Sequence, residues 1–150
     1  MKILGVVGPI DAGKTAIIRI ANRSYTDFPR TRSTIGIDLN MIHGVQVWDT
    51  SGDQRFRNVV ESVLRNVNVL IVVRKSGTPY TMPSGTFDKI YLATRGPDDM
   101  WVYDFKDTHN CEHYRIDTIT GAQLLMHDAI QYCKPRQRSI TCCGCFISSR

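Results

Sequence analysis

Residues 8–15 read Gly-Pro-Ile-Asp-Ala-Gly-Lys-Thr and match the phosphate-binding pattern G-x-x-x-x-G-K-[ST]. A short apolar run, residues 2–7, comes directly before this stretch, and residues 15–23 place apolar side chains on one face of a helix. The sequence therefore predicts a strand, a glycine-rich loop and a helix in that order. In this context the pattern favours a nucleotide site over a purely structural turn, which is the other interpretation of a glycine-rich loop.

The physical basis of this prediction is the negative charge of a phosphate group. The backbone N–H groups of such a loop and the positive end of the following helix attract phosphates, since both present partial positive charge. Lys14 adds a cation, and the Thr15 hydroxyl can bind Mg²⁺. The residues that we expect to contact nucleotide here are Gly8, Ile10, Asp11, Ala12, Gly13, Lys14, Thr15 and Ala16.

The composition of the chain limits the classes of protein to which it can belong. Of its 150 residues, 42% are hydrophobic and 22% are charged, as in a single globular domain. The longest uncharged apolar run, residues 69–73, is far shorter than the roughly 20 residues of a membrane-spanning helix. Because no secretory leader is recognisable either, we expect a cytoplasmic protein.

The remaining hydrophobic pattern predicts the rest of the fold. Trp101, Tyr103 and Phe105 alternate as in a half-buried strand, which predicts a core role for these rings. Strands are expected at residues 45–48, 67–73, 89–94 and 114–118, and helices at 57–65 and 121–134. Since residues 67–73 are almost continuously apolar, they suit a parallel sheet covered on both faces, and we expect a three-layer α/β domain with a mostly parallel sheet.

Two further segments carry oxygen ligands suited to Mg²⁺. Asp49 follows the strand at residues 45–48, and a carboxylate at the carboxyl end of a strand can reach a metal ion held beside a phosphate loop. Thr34 lies in the segment Ser-Thr-Ile-Gly at residues 33–36, where its hydroxyl could complete the coordination once a γ-phosphate is present.

The order of GPIDAGKT, STIGID and VWDTSGDQRF resembles the Ras superfamily of small GTPases, and most of all its Rab branch. The resemblance is good over residues 2–73 and patchy beyond them. It implies a P-loop small G-protein fold that binds GTP and GDP with Mg²⁺ and acts as a switch in vesicle or membrane trafficking. It also implies that effector and regulatory proteins bind the two segments that change with the nucleotide.

The resemblance assigns roles to particular residues. It implies that Lys14 and Thr15 bind phosphate and Mg²⁺, that Thr34 senses the γ-phosphate, and that Asp49 is the aspartate of the D-x-x-G motif. Gly52 is then the glycine of that motif and contacts nucleotide. The metal ligands implied are Thr15, Thr34 and Asp49.

The sequence departs from the family at catalytic positions. Asp53 stands where the family places the glutamine that orients the attacking water, and Gln54 follows one residue later. We therefore take Asp53, Gln54 and Thr34 as the candidate catalytic residues. A carboxylate beside an anionic γ-phosphate is repelled by it and lacks an amide donor, while the branched side chain of Ile10 would crowd the water, so we expect slow hydrolysis.

Recognition of the base is also altered. The family reads guanine with Asn-Lys-x-Asp after its fifth strand, and the best match here is Arg-Gly-Pro-Asp at residues 95–98. Asp98 would keep the contact to the guanine edge, since a carboxylate can accept two hydrogen bonds there. A helix N-cap at residues 98–99 is the alternative.

Compared with the family, the chain has a clipped hairpin between residues 36 and 48, and a loop at residues 75–89 replaces much of a helix. That loop contains two Pro and two Gly, so a long crossover helix is not expected there. Losing a covering helix would leave apolar sheet that the protein must hide or offer to a partner.

We expect a G domain at residues 1–133 and a flexible tail at residues 134–150. The formal net charge is +5, but the tail supplies four basic and no acidic residues, and without it the balance is 15 basic to 14 acidic. This argues against binding to nucleic acid and for a tail near acidic lipid or an acidic partner. Cys142, Cys143 and Cys145 resemble the paired, lipid-modified cysteines that end Rab proteins, although no C-a-a-X pattern is present.

Three interpretations therefore follow from the sequence. The favoured one is a shortened Rab-like GTPase attached peripherally to the cytosolic face of a membrane by the tail. A degenerate nucleotide-binding scaffold or decoy, which sequesters the partners of a Rab protein, is the second. An ATPase or kinase with a P-loop is the third, and it is disfavoured because it gives no role to the segments around Thr34 and Asp49.

Overall fold

The computed structural model describes residues 1–23 and 25–137. The strands in these ranges are β1 (Leu4–Val7), β2 (Ile37–Ile42), β3 (Val45–Thr50), β4 (Val69–Lys75), β5 (Lys89–Arg95) and β6 (Glu112–Arg115). The helices are α1 (Lys14–Asn22), α2 (Arg57–Leu64), α3 (Met100–His109) and α4 (Ile119–Cys133). A short 3-10 turn, Gln54–Phe56, leads into α2.

The strands form one sheet in the order β2-β3-β1-β4-β5-β6. All neighbours are parallel except β2 and β3, which form an antiparallel hairpin. The hairpin closes through His43 and Gly44, whose φ angles of 49° and 81° are both left-handed, as a tight two-residue turn between twisted strands requires. The clipped hairpin expected from the sequence is confirmed. Because the other strands are parallel, their carboxyl ends lie at one edge of the sheet.

Each face of the sheet is covered by helices, so the expected three-layer α/β fold is confirmed. Helices α1 and α4 pack on one face through residues such as Ile17 and Leu125. Helices α2 and α3 pack on the other face through residues such as Leu64 and Phe105. Alternate residues of β4 point into the two cores, which explains the continuous apolar character of this strand.

The segment between β4 and β5, residues 76–88, contains no helix and still covers the sheet. Tyr80, Met82 and Phe87 of this segment pack against the second core, in which Val72 and Leu92 have no exposed surface. Of the two outcomes expected for a missing helix, the structure therefore shows that the protein hides the apolar sheet at this strand pair. Three large side chains of an irregular segment bury the surface that a helix would otherwise bury.

The irregular segment is attached to the fold by Arg74. Its guanidinium, 3% exposed, binds both carboxylate oxygens of Asp99 at 2.8 Å and donates to the Thr78 carbonyl at 2.8 Å. The same group lies 4.4 Å from the ring centroid of Trp101, whose indole N–H donates to the Tyr80 carbonyl at 2.9 Å. These contacts hold the first half of the segment against α3.

Helix α3 corrects the interpretation of the aromatic alternation. The rings of Trp101, Tyr103 and Phe105 lie on a helix, not a strand, and Tyr103 is 53% exposed whereas Phe105 is buried. Asp99 starts the helix because its side chain accepts a hydrogen bond from the Val102 N–H, so the N-cap alternative holds for the second aspartate of the pair. Local capping thus overrides a two-residue periodicity.

Two other boundaries shift. The last strand is Glu112–Arg115 rather than residues 114–118, because Thr118 accepts from the Gly121 N–H and starts α4. Helix α4 consequently begins at Ile119, two residues before the predicted start. No helix within the described residues is long and apolar enough to cross a membrane.

Candidate nucleotide-binding site

The phosphate loop lies where β1 ends and α1 begins, and its backbone is held in an unusual path. Gly8 approaches β4 so closely that a Cβ there would lie 2.1 Å from the Val73 carbonyl oxygen. Gly13 has a φ of 105° at the N-cap of α1, and Asp11 adopts a left-handed φ of 61°. Such a path leaves the N–H groups at the start of α1 directed toward a ligand.

Lys14 is held inside this loop. Its side chain is 7% exposed, and Nζ donates to the Pro9 carbonyl at 2.6 Å. Burial lowers the pKa of Lys14 to about 8, while the carboxylates of Asp49 and Asp11 oppose that shift. Because this pKa still lies above 7, the ammonium group keeps its charge at neutral pH and can bind an anion.

Three oxygen-bearing side chains meet beside Lys14. Thr15 Oγ1 donates to Asp49 Oδ2 at 2.5 Å, and the Oγ1 atoms of Thr15 and Thr34 lie 3.0 Å apart. Thr34 Oγ1 also lies 3.3 Å from Asp49 Oδ2. The structure thus brings together residues 19 and 34 positions apart in sequence, all three of which are the predicted metal ligands.

Asp49 is the most constrained member of this cluster. It is 1% exposed, and its Oδ1 atom has no hydrogen-bond partner among the described residues. Burial raises its pKa, whereas the hydroxyl of Thr15 and the charge of Lys14 lower it. A buried carboxylate oxygen with no protein partner, next to two hydroxyl groups, is a donor set that suits a hard cation such as Mg²⁺.

The segment that follows Asp49 packs directly on the phosphate loop. A Cβ added to Gly52 would lie 2.5 Å from the backbone N of Ile10, so only glycine fits there. Ile10, 48% exposed, and Asp53 both line a cavity of about 210 Å³ together with Lys14 and Thr34. Two of the three predicted catalytic residues, Thr34 and Asp53, therefore share one cavity with Lys14.

The carboxylate of Asp53 is hydrogen-bonded to Arg55. Its Oδ2 atom accepts from Arg55 Nε at 2.9 Å and from Nη2 at 2.7 Å, and its Oδ1 atom accepts from the Arg55 N–H at 2.9 Å. Hydrogen bonds from Arg55 lower the pKa of Asp53, so the carboxylate stays ionised at neutral pH. Gln54 is exposed and is not among the residues that line the cavity.

Asp98 does not join the other predicted site residues. Its Oδ1 atom lies 3.1 Å from Arg115 Nη2 and 4.0 Å from His113 Nε2. Burial lowers the pKa of His113, although Asp98 opposes this, so the ring is mostly neutral at pH 7. The carboxylate expected to read the base instead lies beside the end of β6, and its buried Oδ1 atom accepts no hydrogen bond from the described residues.

A second cavity, of about 570 Å³, adjoins the phosphate loop, and three residues of the segment 95–98 that the sequence singled out for base recognition line it, although Asp98 does not. Arg95 connects the two places, because its Nη2 atom donates to the Asp11 carbonyl at 3.0 Å. Phe28 and Asp117 also line this cavity. The sequence feature that indicates this cavity is the place of Arg95 and Asp117 directly after parallel strands, since such residues gather at one edge of the sheet.

Comparison with known protein families matches residues 2–108 to the family described as "Roc: Ras of Complex, Roc, domain of DAPkinase". Among individual proteins, the chain is 38% identical over 78 residues to the mouse (Mus musculus) Ras-related protein Rab-33A, an alignment covering 45% of this chain and 32% of that protein. It is 33% identical over 75 residues to human (Homo sapiens) Ras-related protein Rab-30, with 45% and 36% covered.

The maize (Zea mays) GTP-binding protein YPTM1 is 34% identical over 77 residues, again with 45% of this chain and 36% of that protein covered. The chain thus spans about a third of the length of the curated relatives it matches. The family match is longer and takes in the phosphate loop, the Thr34 and Asp49 segments, strands β1 to β5, helices α1 and α2, and α3 as far as residue 108. The chain therefore belongs to the Roc family of the Ras superfamily and is similar in sequence to Rab small GTPases.

Proposed function

We propose that this chain is a Rab-like small GTP-binding protein, a GTP/GDP switch in vesicle or membrane trafficking that hydrolyses GTP slowly. One observation carries the proposal. Lys14, Thr15, Thr34 and Asp49 come from three separate places in the sequence and meet at the start of α1, where Asp49 contacts both threonines and the other three residues line one cavity. A structural turn would need a cap for α1, but it would not need a buried lysine facing hydroxyl and carboxylate groups.

Mg²⁺ is the cofactor that this cluster fits. Thr15, Thr34 and Asp49 would hold it, directly or through water, and the ion would neutralise charge on the nucleotide phosphates. The unpartnered Oδ1 atom of Asp49 supports this assignment. Gly8, Asp11, Ala12, Gly13 and Ala16 would then contact the phosphates through the loop backbone and the N-terminus of α1.

Slow hydrolysis is supported by the state of Asp53. An ionised carboxylate that already accepts three hydrogen bonds from Arg55 has no proton to donate to charge that develops on the γ-phosphate. Ile10 projects into the same cavity and narrows the space for an attacking water. Thr34 would hold the γ-phosphate side of the cavity, while Gln54 could orient water only after a rearrangement of its segment.

Effector and regulatory proteins are proposed to bind the surface of β2 and the preceding segment. Ile35, Leu39 and Met41 are 80%, 69% and 62% exposed, and apolar side chains this exposed are typical of a protein-binding surface. Because Thr34 is adjacent to Ile35, a movement of Thr34 that depends on the bound nucleotide would also change the position of this surface.

We also propose a G domain over residues 1–133 and a tail over residues 134–150 that attaches the protein to the cytosolic face of a membrane. The lipidation sites would be Cys142, Cys143 and Cys145, which lie outside the described residues. The basic residues of the tail support binding to acidic lipid.

The decisive experiment is to identify the nucleotide that the protein carries. The full chain is purified gently in Mg²⁺ without added nucleotide, denatured, and its small molecules are separated by chromatography. GDP or GTP at close to one per chain is expected. Thr15→Ala, prepared in parallel, should carry much less because it lacks the hydroxyl that faces Asp49. ATP, or no nucleotide in the parent, would contradict the proposal.

A further inference from the structure

Two cavities lie at the C-terminal end of α1, at the edge of the sheet opposite to the phosphate loop. We name them the Arg19 cavity and the His43 cavity after residues that line them. We infer that together they bind the phosphorylated headgroup of a membrane lipid, with Arg19 and Arg23 as the phosphate ligands. This inference rests on the proposed membrane attachment, because it names a lipid that the folded domain would contact.

The Arg19 cavity, of about 330 Å³, has a polar lining. It is lined by Arg19, Asn22, Arg23, Tyr25 and Asn40. The guanidinium, amide and phenol groups of these residues can all donate hydrogen bonds. No carboxylate lines the cavity within residues 1–23 and 25–137. A phosphate group matches this lining, since its oxygens accept hydrogen bonds and carry negative charge.

The two arginines are held close together at the end of α1. Arg19 lies in the last turn of the helix and Arg23 is its C-cap, where the Arg23 N–H donates to the Arg19 carbonyl at 3.0 Å. Among the described residues, neither side chain forms an ion pair. Like charges four residues apart on a helix repel each other, so a bound phosphate would remove a cost that the free protein carries. Each guanidinium can bind a phosphate through two parallel hydrogen bonds.

The His43 cavity, of about 410 Å³, adjoins the Arg19 cavity, because Asn22 and Arg23 line both. Buried apolar side chains of α1 and α4 form part of its lining, namely Ile20, Met126 and Ile130. Its other polar residues are His43, Gln123, His127 and Gln131. Amide groups both donate and accept hydrogen bonds, as the hydroxyl groups of a polyol ring require. A phosphate in one cavity and a hydroxyl-bearing ring in the other correspond to a phosphorylated inositol headgroup.

The path of the chain places these cavities where the proposed tail begins. Gln131 lines the His43 cavity, and its carbonyl accepts from the Lys134 N–H at 3.2 Å. Lys134 and Arg136 add two cations at the start of the tail. A protein attached to a bilayer by this tail would therefore hold the cavities at the bilayer surface, where acidic lipids attract basic groups. This favours a lipid headgroup over a soluble phosphate as the ligand.

The site is separate from the nucleotide site. Lys14 begins α1 and Asn22 ends it, about 12 Å farther along the helix axis. The cavity around Lys14 shares no lining residue with either of the two cavities. Asp38 precedes Asn40 by two residues on β2, but it lines neither cavity and is the register partner of Asp49. Its negative charge therefore belongs to the nucleotide edge of the sheet.

The test uses the full chain produced in bacteria, so that the tail carries no lipid, in Mg²⁺ with excess GDP. Calorimetry with inositol trisphosphate measures binding of the headgroup alone. Sedimentation with phosphatidylcholine vesicles that contain phosphatidylinositol bisphosphate measures binding of the lipid, and vesicles with the same charge from phosphatidylserine are the reference. The parent should bind inositol trisphosphate, and it should bind the bisphosphate vesicles at least about tenfold more tightly than the reference vesicles.

Two double variants isolate the contribution of the arginines. Arg19→Gln/Arg23→Gln should weaken binding of both ligands at least about tenfold, since each arginine makes charge-assisted contacts. Arg65→Gln/Lys106→Gln is the matched control, because it removes two cations near the C-terminal ends of α2 and α3. Neither of these residues lines the two cavities, so this variant should bind like the parent. Thermal unfolding checks that both variants fold.

The outcomes separate this inference from the tail anchor on which it rests. Equal weakening in the two double variants, or equal binding of the parent to both kinds of vesicle, would reduce the effect to general charge and overturn the site. Displacement of inositol trisphosphate by GTP would place the phosphates at Lys14 and overturn it as well. Binding of inositol trisphosphate without a preference for the bisphosphate vesicles overturns the lipid as the source. Each of these results leaves the anchor standing, because the protein tested carries no lipid.

Discussion

At the scale of single residues, Lys14 decides whether the loop is a nucleotide site. Lys14→Ala removes a buried ammonium group and should weaken GTP binding by about 10-fold to 100-fold or more, because a charge-assisted contact is worth about 1.5 to 3 kcal/mol. Calorimetry with GTP and Mg²⁺ measures the change. Lys89→Ala, which removes a surface pair with Glu112, serves as the matched control and should bind like the parent. Equal GTP affinity in Lys14→Ala and the parent would reduce the loop to a structural turn.

The reaction centre makes a kinetic prediction about Asp53 and Ile10. Losing one oriented group at such a site costs on the order of 10²-fold in rate, and intrinsic hydrolysis in small GTPases is already slow, at about 10⁻⁴ s⁻¹. Asp53→Gln should therefore raise the rate of phosphate release from bound GTP in a single turnover. Adding Ile10→Gly should raise the response to an activating protein more than either change alone, although the two effects act on one water and need not add.

A control separates the roles of the two neighbouring side chains. Gln54→Ala should leave the parent rate unchanged, because Gln54 does not line the cavity. If this variant is about tenfold slower, or if the parent is at least as fast as the double variant, the orienting group is Gln54 and the account given for Asp53 is wrong.

At the scale of secondary-structure elements, Arg74 joins the irregular segment between β4 and β5 to the start of α3, where the segment covers the sheet in place of a helix. Arg74→Met keeps the length of the side chain but leaves Asp99 without its partner and frees the Thr78 carbonyl. Unfolding in urea should show that the free energy of unfolding falls by about 2 to 3 kcal/mol. The expected fall is smaller than for a fully buried pair because the Asp99 side chain is 32% exposed. Arg57→Met, at a partly exposed pair within α2, is the matched control and should lower the free energy of unfolding by about 0.5 kcal/mol or less.

The same contact predicts a dependence of stability on pH. Hydrogen bonds from Arg74 hold the pKa of Asp99 far below its usual value, and the N–H groups of Gly77 and Val102 lower it further. The stabilisation is complete above the unfolded pKa, near about 3.9, and is lost as the pH falls from there toward the folded value. Between about pH 5 and pH 2, the free energy of unfolding should therefore fall less in Asp99→Asn than in the parent. Identical slopes would show that this carboxylate is not coupled to folding.

At the scale of the whole molecule, the prediction concerns attachment to membranes. Deleting residues 139–150 should move the protein to the aqueous fraction of eukaryotic cells, since the three tail cysteines are the proposed lipid sites. Changing Cys142, Cys143 and Cys145 to Ser keeps the length and charge and isolates the contribution of the lipid. Identical fractionation of all forms, with an unmodified intact mass for the parent, would contradict the anchor.

Cysteines inside the domain should not interfere with that measurement. Cys133 is 1% exposed in the first core, and burial raises its pKa to about 11. Cys111 is half-buried, and burial also raises its pKa. Both thiols are therefore poor nucleophiles at neutral pH, so a lipid mass found on the parent can be mapped to the tail.

The sequence alone determined the glycine-rich loop between β1 and α1 and the three-layer fold, and it predicted the three side chains that meet beside Lys14. These depend on short patterns, namely a glycine-rich loop of eight residues, apolar runs and a carboxylate at a strand end, whose physics acts over neighbouring residues. The family match over residues 2–108 agrees with that interpretation. Helix α3 was not predicted, because the alternating aromatic residues near its start have the two-residue spacing of a strand. Only the structure showed that the Asp99 side chain caps a helix there.

Only the tertiary structure decided which residues surround the second cavity and what covers the sheet beside it. Arg95 meets Asp11 across 84 positions, Arg74 meets Asp99 across 25, and Asp117 meets Gly96 across 21. Such contacts depend on strand order and register, because the carboxyl ends of parallel strands become neighbours only after the sheet has formed. Spacing in the sequence could therefore place an aspartate after β5, but it could not show that this carboxylate faces Arg115 while one from the next loop faces the cavity.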